Sequence, residues 1–447
     1  MIPRRRRVAV VGAGVAGLGA AWALRESADV VVYDKAPRFG GHAWTVDIEH
    51  TGKPMAVDIG FICFNRPNYP NFTQLLKHLD APTVWTDMAF AVTDPDGYEW
   101  SSDAWGLFAW KRNALDAQFR GMIGEIIDFN NVARAELLRG DVANVSLGDW
   151  LDAHGYSQLF RDAYLLPMSA AIWSTPEKMM LDYPVTSFLQ FFDNHRLMHL
   201  LRPIWRTVKG GSRSYVSRLL AQLPAGSLRA AAKIETIKPA GPGKVQIIEK
   251  DKRPETFDAV ILSCHANESL GMLSREYDEQ RLALGSVRFS QNTAYLHHDA
   301  SLMPERRMAW ASWNVRKGPD ASVCVTYWMN RLQRLPNSHP VFVTLNPVHE
   351  PAKEKTFGVY EFDHPMYDAP SAAARREVQR LQGRDGLFFA GAWLGDGFHE
   401  AGLRTGLEAA FALGGSVPWE ATTMQRHVLA YSSGRTPVAT PVLAAAR

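Results

Sequence analysis

Three glycines and one acid near the start of the chain carry its most legible chemistry. Gly12, Gly14 and Gly17 stand in GxGxxG spacing, and Asp34 lies 22 positions after Gly12. Gly12 permits a tight turn, Gly14 lets a pyrophosphate approach the backbone, and Gly17 lets a helix pack closely on a strand. A helix that begins here offers unpaired N–H groups and its positive dipole end to phosphate. The Asp34 carboxylate would accept hydrogen bonds from ribose hydroxyls. It would also repel a 2′-phosphate, which argues against NADP.

The elements needed to position these residues are present and in order. Val8–Val11 is a short apolar run, as in a buried parallel strand. An Ala- and Leu-rich helix follows from Val15 to about Arg25, and Val30–Tyr33 is a second apolar run ending on Asp34. This context separates a nucleotide fingerprint from an ordinary glycine turn. Next comes Lys35-Ala-Pro-Arg38-Phe-Gly40-Gly41-His42. Its paired glycines read either as a plain turn or as a loop pressed against a cofactor, with Arg38 meeting a phosphate. Met55–Asp58 reads as a short strand, and Gly60 after it suits close approach to a flat ring.

The bulk numbers bound the answer. A chain of 447 residues predicts two or three domains with ample material for large cores. A net charge of +3 points away from nucleic acid. Cys63, Cys264 and Cys324 form no metal spacing and no disulfide framework, which fits buried thiols in a reducing cytoplasm. The basic run Arg4–Arg7 leads straight into a strand, without the apolar core of a signal peptide. No run approaches the length of a transmembrane helix. A soluble protein, or one peripheral on the inner membrane face, is expected.

GAGVAGL, RFGG and VDIGF together resemble FAD-binding proteins of the flavin amine oxidase and phytoene desaturase superfamily. The continuation from Phe61 to Phe72, with Asn65, Arg66, Tyr69 and Asn71, is similar to a bacterial branch linked to modification of fatty acyl chains. The block Gly386–Ala410 resembles the superfamily's C-terminal FAD motif, and the resemblance spans Val8 to about Gly414. It implies an α/β fold: a discontinuous, Rossmann-type FAD-binding domain with an inserted α+β substrate domain. The FAD domain is expected over 1–66, 207–265 and 383–415, the substrate domain over 67–206 and 266–382, and a poorly packed tail over 416–447.

The resemblance also implies cofactor contacts. In the first piece these are Gly12, Gly14, Ala16, Gly17, Asp34, Lys35, Arg38, Gly40, Gly41, His42, Asp58, Gly60 and Phe61. In the second, Ile234 lies in a hairpin unit expected to touch the adenine side by its backbone. In the third they are Gly391, Gly397, Phe398, His399, Gly402 and Leu403. No Cys lies near this last loop, so FAD is expected to be non-covalent.

A flavin takes a hydride from carbon, which explains why no catalytic triad, metal cluster, HExxH or P-loop is needed. His399 and Glu400 are the leading catalytic candidates, an imidazole able to titrate and a carboxylate able to orient it. The other reading of Glu400 is a hydrogen-bonding cap near a helix N-terminus. Arg66 and Tyr69, with Asn65, are secondary candidates. The expected activity is desaturation of a fatty acyl chain, a methylated chain held in phospholipid included. Double-bond isomerisation, amine oxidation and flavin binding without turnover are the alternatives. The expected partner is a lipid or fatty acyl substrate; oligomeric state is open.

Two further stretches carry alternatives. Ser187–Trp205 sets Phe188, Leu189, Phe192, Met198, Leu201 and Trp205 at helical spacing, interleaved with His195, Arg196, His199 and Arg202. It reads as an amphipathic helix over a core, or as a helix lining a lipid tunnel or resting on a bilayer. Tyr327 and Trp328 read as packed sheet aromatics or as a wall facing the flavin.

Overall fold

Five parallel strands carry the glycine turn: β1 (Arg6–Val11), β2 (Ala28–Tyr33), β3 (Leu228–Arg229), β4 (Ala259–Leu262) and β5 (Leu387–Phe389). They lie in the order β3-β2-β1-β4-β5. Val8, Val10, Val260, Ile261 and Leu262 are fully buried, because both faces of this sheet are covered. The strand order reverses at β1, so a crevice opens between the carboxyl ends of β1 and β4, where ligands of open α/β sheets bind. The protein is seen here in a computed structural model that describes residues 5–94, 98–173, 177–199, 203–318 and 323–421.

Five helices bear on the site: α1 (Val15–Leu24), α2 (Pro70–His78), α3 (Val185–Asn194), α4 (Arg213–Leu220) and α5 (His399–Ala412). All of α1 is buried, and it packs at very short range on α5. A Cβ on Gly406 would overlap the Ala16 carbonyl, and one on Gly402 would stand 2.9 Å from Val15 Cγ1. Small residues on both helices are what allow this approach.

A second body is built on a seven-stranded mixed sheet. Its order is Thr356–Pro365, Phe289–His297, Phe342–Leu345, Val323–Trp328, Trp313–Lys317, Phe90–Thr93, Glu99–Ser101. Neighbours are antiparallel except for Trp313–Lys317 beside Phe90–Thr93. Helical segments on it bury an aromatic cluster with Phe119, Phe129, Trp150, Phe160, Phe188 and Phe192. Strands from before residue 110 and after residue 288 thus share one sheet.

Several local expectations change. The stretch Ser157–Leu166 is broken into a short helix and a π-turn before the helix Leu166–Trp173. α3 is a core helix that ends at Asn194: Val185, Phe188, Leu189, Phe191 and Phe192 are all buried. It has no free apolar face for a bilayer; Arg196 is exposed, and Leu201 and Arg202 lie outside the described residues. Tyr327 and Trp328 face opposite sides of their strand, as period two requires. Tyr327 packs edge-on against Trp313 at 5.0 Å, whereas Trp328 packs on Trp310 in an outer cluster. The start of the tail is packed: Ser416 N–H donates to Ala23 at 2.9 Å, and Trp419 stacks on Trp22 at 5.5 Å. Residues 422–447 lie outside the described residues. Among the described residues no helix is long and apolar enough to cross a membrane, and the three cysteines are unpaired.

Candidate cofactor site

The cradle forms where β1 turns into α1. Gly12 has φ of 102°, and a Cβ there would stand 2.8 Å from the Cys264 amide. A Cβ on Gly17 would overlap the Gly12 carbonyl oxygen. Gly14 differs: a Cβ there would meet only the Gly41 Cα, at 4.0 Å. The first intrahelical bond of α1 runs from Leu18 N–H to Gly14 at 2.9 Å, so Val15, Ala16 and Gly17 present the first-turn amides. Gly40 N–H donates to Ala13 at 2.8 Å and clamps the second glycine loop onto the first. This geometry suits a pyrophosphate laid across Gly14.

Polar residues frame the cradle. The Asp34 carboxylate accepts from Ala13 N–H at 2.7 Å and Ala36 N–H at 2.8 Å, one on each oxygen. Each oxygen keeps a lone pair for a ribose hydroxyl. Burial raises the Asp34 pKa against those two bonds. Arg38 lies 3.7 Å over the Trp44 ring and donates to Gly41 O at 2.9 Å. Its other donors have no protein partner among the described residues. His42 is held neutral by burial and by the neighbouring His265 and His364. Ile234 opens an antiparallel strand just after the bond from Ala232 N–H to Asp34 O at 2.8 Å.

Other expected contacts have different tasks. Lys35 is exposed and paired with Glu268. Asp58 is fully buried and spends its carboxylate on protein: Thr45 Oγ1 at 2.6 Å, Ser212 Oγ at 2.7 Å, Ser212 N–H at 2.9 Å and Gln333 Nε2 at 2.8 Å. These bonds tie the GG turn at 210–211 to the second body, and burial pushes the carboxyl up to about 6. A Cβ on Gly60 would overlap the His42 carbonyl, so that glycine admits a backbone strand and not a ring. Phe61 stacks on His399 at 3.8 Å. The Gly402 and Leu403 side faces lie in the α1–α5 contact, where Leu403 packs on Gly19. Gly391 N–H donates to Thr405 Oγ1 at 2.9 Å, which pins the third glycine loop to α5.

The expected catalytic pair does not form. His399 is buried between Phe61 and Phe72, with Nε2 2.7 Å from the Tyr215 hydroxyl. Burial pushes its pKa down to about 3, so it is neutral and cannot serve as an acid at neutral pH. Glu400 accepts from Asn71 N–H at 3.0 Å, Asn71 Nδ2 at 2.9 Å and Phe72 N–H at 2.9 Å. It therefore caps α2, whose own N-cap residue, Tyr69, supplies no side-chain bond. Burial raises Glu400 to about 7 despite those donors. Arg66 is exposed and shares a surface depression with Thr73, Gln74 and Glu420. Tyr69 is buried against Phe61 and Phe64.

The third glycine loop faces an aromatic wall that spacing did not reveal. Phe398 lies 5.4 Å from Phe191 and 5.1 Å from His195, ring to ring. His195 Nδ1 is 3.0 Å from the Phe191 carbonyl, which makes Nδ1 the donor and leaves Nε2 a lone pair. Burial lowers its pKa, and Asp396 opposes this. A Cβ on Gly397 would stand 2.6 Å from the Tyr367 hydroxyl. That hydroxyl and Trp313 Nε1 are buried without a partner among the described residues. The helix carrying His195 and the loop residue Phe398 were both legible in the sequence; that they meet was not.

The residues present fit a dinucleotide: first-turn amides at the turn, a half-used carboxylate, an arginine with a single hydrogen bond to protein, and two orphaned donors beyond. No group of side chains among the described residues could hold a metal. Residues 10–79 match the model of an NAD(P)-binding Rossmann-like domain. No curated protein matches the chain. Among solved structures, putrescine oxidase bound to putrescine superposes with TM-score 0.67 at 16% identity, over 91% of this chain and 98% of that one. Cyclohexylamine oxidase from Brevibacterium oxydans IH-35A gives TM-score 0.67 at 13% identity, over 92% and 99%. A CLA-producing fatty acid isomerase from P. acnes gives 0.64 at 16%, over 91% and 98%. Residues 10–79 carry a Rossmann-like nucleotide-binding domain, and the chain as a whole shares the fold of these two oxidases and the isomerase.

Proposed function

We propose that the protein holds FAD non-covalently along the glycine cradle and dehydrogenates a fatty acyl chain brought to the third glycine loop. One observation carries the choice of substrate: the loop's Phe398 opens onto rings, Phe191 and His195, and onto the aromatic core behind them. Such a wall excludes water and suits an unactivated hydrocarbon. A bound flavin supplies the hydride acceptor.

The chain's own residues do the rest. First-turn amides of α1 and Arg38 hold phosphate, and Asp34 holds ribose. Neutral His399, fixed by Tyr215 and Phe61, keeps the start of α5 in place and changes no charge. Desaturation also releases a proton from the neighbouring carbon. His195 is neutral, stands beside Phe398 and has Nε2 available, so it is the base on this wall. An isomerase that returned the hydride would need no net base, and the same wall would serve it.

Amine oxidation is the second reading, favoured by Asp396. Its charge acts on Tyr69, Tyr183, Tyr367 and His195, so a carboxylate stands among aromatic rings as a cation site would require. Anaerobic mixing of the FAD-loaded protein with fatty acyl lipids or with polyamines decides between them. Loss of visible flavin absorbance with lipid, and a new double bond by mass spectrometry, is expected. Bleaching by a polyamine and not by lipid overturns the acyl reading. A moved double bond without net reduction assigns the isomerase.

A further inference from the structure

The edge strand Thr356–Pro365 gives way at Met366-Tyr367-Asp368 to the helix Ala369–Arg380. Asp368 caps that helix, accepting from Ser371 N–H at 2.8 Å. Helical side chains lean toward their own N-terminus, and Arg375 folds back over the two residues ahead of the cap. Its guanidinium stands 4.5 Å over the Tyr367 ring and makes one long hydrogen bond, from Nη1 to the Met366 carbonyl at 3.4 Å. Tyr367 in turn meets the third glycine loop through its hydroxyl, close to Gly397. It packs on the same aromatic cluster as Tyr183 and Phe398.

A half-buried guanidinium with five N–H donors and one weak acceptor is short of partners. Burial lowers its pKa, and among the described residues no carboxylate pairs with it. The acids nearby are spent or stand apart. Asp368 pairs with Arg288 as well as capping the helix, and Glu377 pairs with Arg380 at 3.1 Å. Asp396 is exposed on the loop and acts on Tyr367 and Tyr183, but Arg375 acts on both hydroxyls more strongly. Arg376 is exposed next to it. The Tyr367 hydroxyl is buried without a partner among the described residues. A charged donor and a neutral one are thus left over at the edge of the aromatic wall. This shortage is one of acceptors, whatever the net charge of the face, and buried donors left without acceptors are costly.

We propose that Arg375, with the Tyr367 hydroxyl, anchors the anionic end of the acyl substrate, the carboxylate of a free fatty acid or the phosphate of a single-chain lipid. Two oxygens on one centre match the guanidinium fork, and hydrogen bonds between charged groups are the strong ones. The rings of Phe398 and Phe191 are left for the hydrocarbon. An ester would leave the fork half filled, and an amine would meet a like charge. The same pair therefore selects against both. The proposal rests on the acyl reading above and names the polar end of that substrate.

Equilibrium dialysis of the FAD-loaded protein tests it, with palmitate, lysophosphatidylglycerol, methyl palmitate and hexadecylamine as labelled probes in turn. The flavin is photoreduced and oxygen is kept out, so that no hydride can leave the chain. Palmitate or lysophosphatidylglycerol should bind at least about tenfold tighter than methyl palmitate. Arg375→Gln should weaken that anion by about 10- to 150-fold, the worth of a hydrogen bond to a charged group. Methyl palmitate binding, FAD content and unfolding temperature should stay as in wild type, which a merely structural role for Arg375 would not allow. Arg375→Lys keeps the charge without the fork and should regain part of the loss. The anion that Arg375→Gln weakens, palmitate or lysophosphatidylglycerol, identifies the head as carboxylate or phosphate. If neither anion exceeds the ester, or if Arg375→Gln binds the anions as wild type does, the anchor is overturned and the acyl reading stands. Hexadecylamine bound tighter than both anions overturns the anchor and favours the amine reading. If no acyl compound binds, the acyl reading itself falls, and the anchor with it.

Discussion

Gly14→Ala separates room kept for a ligand from room required by packing. At Gly14 the backbone has φ −73° and ψ −175°, which alanine adopts without strain. The added Cβ would find its nearest neighbour, Gly41 Cα, at 4.0 Å. Losing glycine at an N-cap costs about 0.5–1 kcal/mol, and the stiffer unfolded chain returns about 0.4–1 kcal/mol. The two offset, so the FAD-free variant should unfold within about 0.5 kcal/mol of wild type. Cofactor binding should suffer much more. A methyl group on the path of the pyrophosphate displaces it from one first-turn amide, and a hydrogen bond to a charged group is worth about 1.5–3 kcal/mol. That loss corresponds to about 10- to 150-fold weaker FAD binding, read by quenching of FAD fluorescence on titration. Gly17→Ala is the contrasting control, because its Cβ would overlap the Gly12 carbonyl and must destabilise the FAD-free protein by about 1–3 kcal/mol. If Gly14→Ala binds FAD as wild type does, the pyrophosphate does not cross Gly14 and the cradle has been misplaced.

Other expectations follow from the same contacts. Glu400→Ala uncaps α2 and should cost about 2–3 kcal/mol in denaturant unfolding. Flavin reduction per bound FAD should fall less than about threefold; a drop of 100-fold or more would restore Glu400 to the chemistry. His399 and His364 have folded pKa values lowered to about 3 and about 4, so between those values and about 6.5 the unfolded chain binds protons that the native chain refuses. Their contribution to stability is therefore complete above pH 6.5 and is lost as pH falls; in thermal unfolding between pH 7 and 5, His399→Gln should flatten that loss. His195→Gln should slow substrate-driven bleaching by about 100-fold or more while FAD affinity is kept, and a smaller effect would remove His195 as the base. Asp396→Asn should leave lipid-driven bleaching within about threefold, whereas an amine oxidase would lose substrate affinity by about tenfold or more.

The local signal in the first forty residues was strong because binding there uses the backbone. A phosphate cradle needs glycines at set spacing, an apolar strand before them and an acid after the next strand, and all of these are neighbours in sequence. β1, α1, β2 and the clamp of Gly40 on Ala13 follow that reading closely. What the distant side chains do could not be read in this way. Glu400 caps α2 because folding sets the start of α5 against residues 71 and 72, over three hundred positions away. The Asp58 carboxylate is spent on Ser212 and Gln333, and burial between Phe61 and Phe72 holds His399 neutral. Tyr367, just ahead of the helix Ala369–Arg380, meets the third glycine loop only in the fold. Backbone recognition is written locally, in the residues that shape the turn; burial, charge state and surface depend on which remote segments pack together, and that is fixed only once the chain has folded.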